Sequence, residues 1–283
     1  MTELRGKAVA SALEETLLSR VNALKARGIA PTLMIVRVGE RPDDLSYERN
    51  AASCGEKLGL CVKKEAYPAD ITEEDFVCSF KEKASDPAVH GILLLHPLPK
   101  HIDLNKVKAV FPPEKDIDCL LDENLGKIFL GDKTVAPPCT AQAVMELLHF
   151  YQIPVSGKHV VVCGRSMVVG KPLSQLLLNE NATVTVCHSR TENMPLVTRQ
   201  ADVVVTAVGR AKLFTADYFT ENQTVIDVGI NVDENGALCG DVDYASASVK
   251  VNAITPVPGG IGTVTTRVLV QNCVAAAERK ELS

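Results

Sequence analysis

An α/β fold, with parallel strands layered against helices, is predicted by three observations. Between Gly157 and Thr191 an apolar run, His159 to Cys163, stops at Gly164; a loop closes at Gly170; and a helical pattern through Leu173, Leu176, Leu177 and Leu178 leads to a second β-rich run, Ala182 to Cys187. Along the rest of the chain, β-rich runs and helical patterns alternate rather than segregate. Two later runs, Ala201 to Val208 and Thr224 to Val228, each end at a glycine, Gly209 and Gly229. That is the strand end at which open α/β sheets bind ligands.

The strand, glycine turn, helix and strand around Gly164 make a candidate dinucleotide site. Backbone N–H groups and the helix dipole at such a turn can hold a phosphate. Gly164 permits the tight turn, Gly170 lets a phosphate approach the backbone, and Pro172 suits the first helical turn. Two glycines at this spacing are weaker evidence than the three of GxGxxG, and ordinary α/β architecture would also produce them. The second strand ends Cys187-His188-Ser189-Arg190-Thr191, with no carboxylate before Glu192. An NAD site usually carries an acidic residue there, whereas hydroxyls and Arg, with Arg165 as a second cation, suit the 2′-phosphate of NADP.

Taken in order, Val9, Leu13, Leu17, Val21 and Leu24 recur at helical spacing and Gly28 follows as a C-cap. Thr32 to Val38 reads as a buried strand left through Gly39-Glu40-Arg41-Pro42, Leu45 to Leu58 as a helix ended by Gly59, and Cys61 to Tyr67 as a strand. Thr72 starts another helix, and His90 to His96 is a strand running into Pro97-Leu98-Pro99. Pro112-Pro113 and Pro137-Pro138 bracket a loop-like tetrapeptide, Lys115-Asp116-Ile117-Asp118. After Thr140 a helix through Val144, Leu147 and Leu148 connects to the Gly157 unit. The loop Pro256-Val257-Pro258-Gly259-Gly260-Ile261-Gly262 is rigid at its start and permissive at its end, so its backbone can come close to a ligand. A last helix, Val264 to Ala277, packs back on the first domain.

The 283 residues suffice for one large or two medium domains, and 46% apolar with 23% charged residues is ordinary soluble composition. A net charge of −5 with no basic block argues against nucleic acid. No apolar run approaches the roughly 20 residues of a membrane span, and the N-terminus lacks a signal-peptide core, so a cytoplasmic location with no membrane partner is expected. Nine scattered cysteines without a CxxC pair read as reduced thiols rather than metal ligands.

Together these segments resemble the bifunctional methylenetetrahydrofolate dehydrogenase/cyclohydrolase (FolD) family. Val38-Gly39 with Tyr47 downstream, Gly91-Ile92-Leu93, Pro97-Leu98-Pro99, Lys115-Asp116-Ile117-Asp118 and Pro138-Cys139-Thr140 match it in order and spacing. The resemblance implies two α/β domains around a cleft: residues 1–139, completed by a C-terminal helix 263–283, for tetrahydrofolate, and a Rossmann-type domain, 140–262, for NADP. It further implies a homodimer. The cofactor residues would be Gly164, Arg165, Ser166, Gly170, His188, Ser189, Thr191, Gly209, Gly229 and Ile230, with Arg165 and Ser189 on the 2′-phosphate. The substrate residues would be Tyr47, Asp118, Pro258, Gly259 and Gly260, with Tyr47 and Asp118 also as the catalytic candidates.

The folate side departs from the family pattern. Ala51 stands at the catalytic Lys position, Leu95 at the Gln, Asp43 or Asp44 at a Ser, Cys119 at a Gly, Ala141 at a Pro and Thr263 at another Pro. Hydride transfer needs alignment and charge placement, whereas hydrolysis of the methenyl product needs a group that exchanges a proton. The expectation is a dehydrogenase with weak or absent cyclohydrolase activity. The alternative is a repurposed or non-catalytic NADP-binding member. His96 is discounted as a substitute base because a neighbour of Leu95 on one strand points to the opposite face.

Overall fold

A computed structural model describes residues 1–282 of the chain. The elements in order are β1 (Thr2–Glu3), α1 (Gly6–Ala26), β2 (Thr32–Val38), α2 (Pro42–Lys57), β3 (Cys61–Tyr67), α3 (Glu73–Ala84), β4 (Gly91–Leu94), α4 (Leu104–Lys108), α5 (Asp122–Phe129) and α6 (Cys139–Phe150). There follow β5 (His159–Cys163), α7 (Gly170–Asn179), β6 (Thr183–Cys187), α8 (Met194–Thr198), β7 (Val203–Thr206), β8 (Thr224–Asp227), β9 (Asn231–Val232), β10 (Leu238–Cys239), α9 (Tyr244–Ser248), β11 (Ala253–Ile254) and α10 (Ile261–Leu282).

The chain forms two compact units, one of Met1–Ser11 with Thr140–Thr265 and one of Ala12–Cys139 with the chain from Thr266 onward. The first eleven residues therefore do not join the unit that the sequence boundary of 1–139 gave them. β1 pairs in parallel with β11, Thr2 opposite Ala253 and Glu3 opposite Ile254, a pairing between chain ends that no local pattern encodes. Leu4 N–H continues it by donating to Ile254 O at 2.8 Å.

The first unit holds a six-stranded sheet in the order β1-β11-β8-β7-β5-β6, with every neighbouring pair parallel. Its central strands are short β-branched runs, and β7 and β8 are buried along their whole length. Such composition suits a parallel sheet covered on both faces. Val161, Val204, Val225, Ile254, Phe214 and Phe219 pack in its core.

In the second unit the sheet is β3-β2-β4, also parallel, with apolar β2 in the middle. Asp116 bridges in parallel to Ile92, so the chain through Lys115–Asp118 runs alongside β4. Phe76, Phe80 and Phe111 fill the core, Phe80 meeting Phe111 edge to face at 5.3 Å. α3 begins as read, the Thr72 hydroxyl accepting from Asp75 N–H. α10 is tied in by Asn272 Nδ2 donating to Ile117 O at 3.0 Å and by a two-point Arg20–Glu278 pair.

Several boundaries differ from the sequence reading. α2 starts at Pro42, since proline suits a first helical turn, and α10 extends past Ala277 through a last turn whose Glu278 and Glu281 pair with Arg20 and Arg27. Short α4 and α5 gave too few turns for a periodic signal. β4 stops at Leu94, so His96 is not a strand residue and the alternation that set it on the opposite face from Leu95 does not apply. All nine cysteines are free, and only Cys61 and Cys78 are exposed. No helix among the described residues is long and apolar enough to cross a membrane.

Candidate active site

The residues singled out for a nucleotide and for a substrate fall in both units, and each half is built locally. In the first unit β5 ends at Gly164, whose φ of +135° disfavours other residues. A Cβ on Gly170 would lie 2.1 Å from Gly164 O, and one on Gly164 would lie 2.3 Å from Ala207 O. Both glycines are thus required by backbone packed on backbone. The loop between them is pinned by Ser166, whose Oγ accepts from Val169 N–H at 3.1 Å and whose carbonyl accepts from Lys171 N–H at 3.0 Å.

After β6 the chain turns on itself. His188 N–H donates to Thr191 Oγ1 at 2.9 Å, Thr191 N–H returns to His188 O at 2.8 Å, and His188 Nδ1 accepts from Arg190 N–H at 3.2 Å. Thr191 therefore shapes the turn, and His188 carries no proton on Nδ1. Arg165, Ser166, His188 and Ser189 come together around a hollow of about 270 Å³ with Gly164, Arg210, Met194 and Leu213. No carboxylate lines it. Arg210, Met194 and Leu213 were not singled out by sequence; Arg210 follows the Gly209 turn, and only the fold shows where that turn leads.

Gly209 and Gly229 are held by a residue that sequence reasoning missed. Buried Asp241 accepts from Val208 N–H (2.6 Å), Gly209 N–H (3.2 Å), Arg210 N–H (2.8 Å) and Asn231 Nδ2 (3.0 Å). A Cβ on Gly229 would stand 2.3 Å from the Asp241 carboxyl carbon, so the glycine makes room for this side chain. Asp227 in turn accepts from Asp241 N–H and Val242 N–H. Burial pushes the Asp227 carboxyl up to about 6, and the like charge of Asp241 adds to that shift. Ile230, beside Asn231, is 65% exposed. Pro258, Gly259 and Gly260 also lie in this unit, where Gly259 O accepts from Gly6 N–H at 2.8 Å.

In the second unit Tyr47 and Ala51 lie one turn apart on α2, which the chain enters from β2 through Gly39. Glu48 on the same helix pairs with Arg37 at 2.7 Å, both largely buried, which fixes the helix against β2. Asp44 is buried on the same element. Ala51 is 0% exposed, and Leu95 beyond β4 is 5% exposed, so both positions are covered and apolar. His96 is exposed.

The two aspartates of Lys115–Asp118 have separate work. Asp116 accepts from Leu120 N–H, Leu121 N–H and Asn124 Nδ2, which holds the entry to α5. Asp118 accepts from Cys139 N–H at 2.9 Å. Burial pushes its carboxyl up, with His96 among the groups that pull it down. Burial and then Asp118 raise the Tyr47 phenol, so Tyr47, Asp118 and His96 share one electrostatic neighbourhood. Cys119 adopts φ +56°, a left-handed conformation that costs a non-glycine residue about 1 kcal/mol.

A profile of the tetrahydrofolate dehydrogenase/cyclohydrolase catalytic domain matches residues 4–118, and one of the same family's NAD(P)-binding domain matches residues 138–281. The chain belongs to this family. The bifunctional protein FolD of Carboxydothermus hydrogenoformans is 52% identical over 277 residues, covering 97% of this chain and 96% of that protein. The crystal structure of the bifunctional FolD enzyme from Campylobacter jejuni superposes with a TM-score of 0.96 at 38% identity, covering 99% of each chain. FolD from Trypanosoma brucei, solved with NADP and an inhibitor, gives a TM-score of 0.94 at 35% identity over 100% of this chain and 99% of that one. The FolD family assignment and the α/β fold with a C-terminal NAD(P)-binding domain thus agree with the sequence reading.

Proposed function

We propose that this FolD-family chain is an NADP-dependent methylenetetrahydrofolate dehydrogenase whose hydrolysis of the methenyl product is weak or absent. The observation that carries the second half is Ala51, a fully buried side chain that can exchange no proton, with apolar Leu95 at the partner position.

The hollow after β5 fits the cofactor: cationic Arg165 and Arg210 and the Ser166 and Ser189 hydroxyls can hold phosphates, and no carboxylate repels them. When bound, NADP supplies the acceptor for a hydride. Arg165 and Ser189 select its 2′-phosphate. Asp241 keeps the loops after β7 and β8 in shape for it. Tyr47 offers a ring face to the folate, and Asp118 accepts from its pterin N–H groups. None of these roles needs a base. Methenyl hydrolysis does, because water loses a proton as it attacks.

The test runs two assays on one preparation, NADP reduction with methylenetetrahydrofolate and hydrolysis of methenyltetrahydrofolate. NADP reduction with negligible hydrolysis supports the proposal; no turnover and no folate binding at millimolar concentration would favour a repurposed member. A second reading rests on His96, which is exposed, lies outside β4 and is electrostatically coupled to Asp118. If hydrolysis is found and His96→Ala abolishes it while NADP reduction persists, His96 is the base.

Cofactor choice gives a separate expectation. Arg165→Ala should weaken NADP binding about ten- to a hundred-fold, the worth of a hydrogen bond to a charged group, and leave NAD binding nearly unchanged. Calorimetry with both cofactors measures this; equal affinity for NADP and NAD in the unmutated protein would remove the argument.

A further inference from the structure

Cys163 and Cys187 end neighbouring parallel strands of the first unit, and no part of the proposed chemistry uses them. β5 and β6 pair in register from His159 opposite Thr183 to Cys163 opposite Cys187, so the two cysteines stand side by side. Residues paired in this way send their side chains to the same face of the sheet. That face is the core shared with Val161, Val204 and Phe214. Neighbouring strands lie about 4.8 Å apart, inside the roughly 4.4–6.8 Å between Cα atoms that a disulfide spans.

Two buried cysteines in one sheet would ordinarily be small apolar core residues. These two are joined further, because the Cys163 thiol donates to Cys187 Sγ and the Thr191 hydroxyl donates to the same sulfur. The bond from Cys163 pulls the Cys187 thiol down to about 7 against the opposing effect of burial, and Thr191 adds to it. Burial pushes the thiols of Cys54, Cys119, Cys139 and Cys273 up instead. The thiolate is the reactive form of cysteine. The pair also adjoins the nucleotide hollow: Met194, Val208 and Leu213 pack on the same core and line that hollow. Gly164 and Arg165 follow Cys163, His188 and Ser189 follow Cys187, and all four line it as well.

We propose that Cys163 and Cys187 form a thiol oxidation site: a peroxide converts the pair to a disulfide, and the disulfide weakens NADP binding. The Cys187 thiolate attacks hydrogen peroxide, an S–O bond forms as the O–O bond breaks, and hydroxide leaves a sulfenic acid behind. The Cys163 sulfur then attacks that sulfur; the S–S bond forms, the S–O bond breaks, and the departing hydroxide takes the Cys163 proton as water. The two sulfurs together lose two electrons, which reduce the peroxide. Oxidation leaves the Thr191 hydroxyl without its thiolate acceptor, in the turn where His188 N–H donates to Thr191 Oγ1 and which carries Ser189. It also draws the sulfurs to about 2.05 Å, moving the strand ends from which Arg165 and Ser189 project. This effect on the cofactor rests on the nucleotide reading of the hollow.

The whole chain is treated with hydrogen peroxide, remaining thiols are alkylated, and digestion with mass spectrometry maps the bridges. Peptides joined through Cys163 and Cys187, two hydrogens lighter and separated again by dithiothreitol, are expected. Calorimetry should show the bridged chain binding NADP about tenfold more weakly, the worth of one hydrogen bond in the turn, with dithiothreitol restoring the affinity. Cys163→Ala, shown to be folded by a thermal melt, should stop at the Cys187 sulfenic acid, which dimedone traps. A folded wild-type chain that forms no bridge between these two residues, or forms it only on heating, overturns the proposal. Unchanged NADP affinity in the bridged chain overturns its second half. Because the bridge is read by mass alone, failure of the reduced chain to bind NADP would count against the nucleotide reading and not against the oxidation site.

Discussion

Methenyltetrahydrofolate hydrolysis should rise about 10² to 10⁴-fold when Ala51→Lys and Leu95→Gln are introduced together, the usual contribution of general acid–base groups. Ala51 sits one helical turn from Tyr47, so a lysine there would share the face that meets Asp118. Because Ala51 is fully covered, a lysine alone would add a buried charge, and apolar Leu95 offers it no hydrogen bond to orient it. The single change should therefore give less activity than the pair, and it should lower stability. NADP reduction should change little in either variant. The comparison of single and double variants, by following loss of the methenyl absorbance, checks both statements; an unmodified protein that already hydrolyses the substrate briskly would refute them.

Asp241→Ala should destabilise the nucleotide-binding unit by about 3 to 5 kcal/mol, the range for removing one partner of a buried charged network. Three backbone N–H groups, of Val208, Gly209 and Arg210, and the Asn231 amide would lose their acceptor together. Asp241→Asn, which keeps an oxygen, should cost less. The neighbouring Asp227 supplies an internal check. Its pKa of about 6 in the folded chain lies above the ordinary 3.8, so its protonated form is favoured by folding. Its contribution to stability is therefore full below about pH 4 and lost as pH rises through about 6. Removing the Asp241 charge should shrink that dependence, which denaturant titrations of wild type and variant at several pH values would show.

How far the sequence speaks depends on the range of the interaction concerned. The β5–Gly164–α7–β6 unit was legible because its strands, turn and helix are contiguous and their periodicities differ. Tyr47 and Ala51 were legible because four residues make about one helical turn. Asp241 was not, since the N–H groups it holds lie far back in the chain and an aspartate between Gly240 and Val242 has no local signature. The hollow lined by Lys115, Lys127, Arg279 and Lys280 was likewise invisible: the sequence has no basic block, and three separate stretches supply these cations. His96 was misplaced for a simpler reason, because strand alternation was carried two residues past the end of β4.

The contact between Gly170 and Gly164 has a consequence for how cofactor preference can change. With backbone against backbone at that point, the closure of the turn at its two glycines is set by main chain, and no side chain stands between them to widen or narrow it. Exposed Arg165, on that turn, and exposed Ser189, after β6, are free of that constraint. The bore of the site and the charge at its mouth are thus independently mutable. An acidic residue at Ser189 could retune the chain toward NAD without any rebuilding of the loop beneath it.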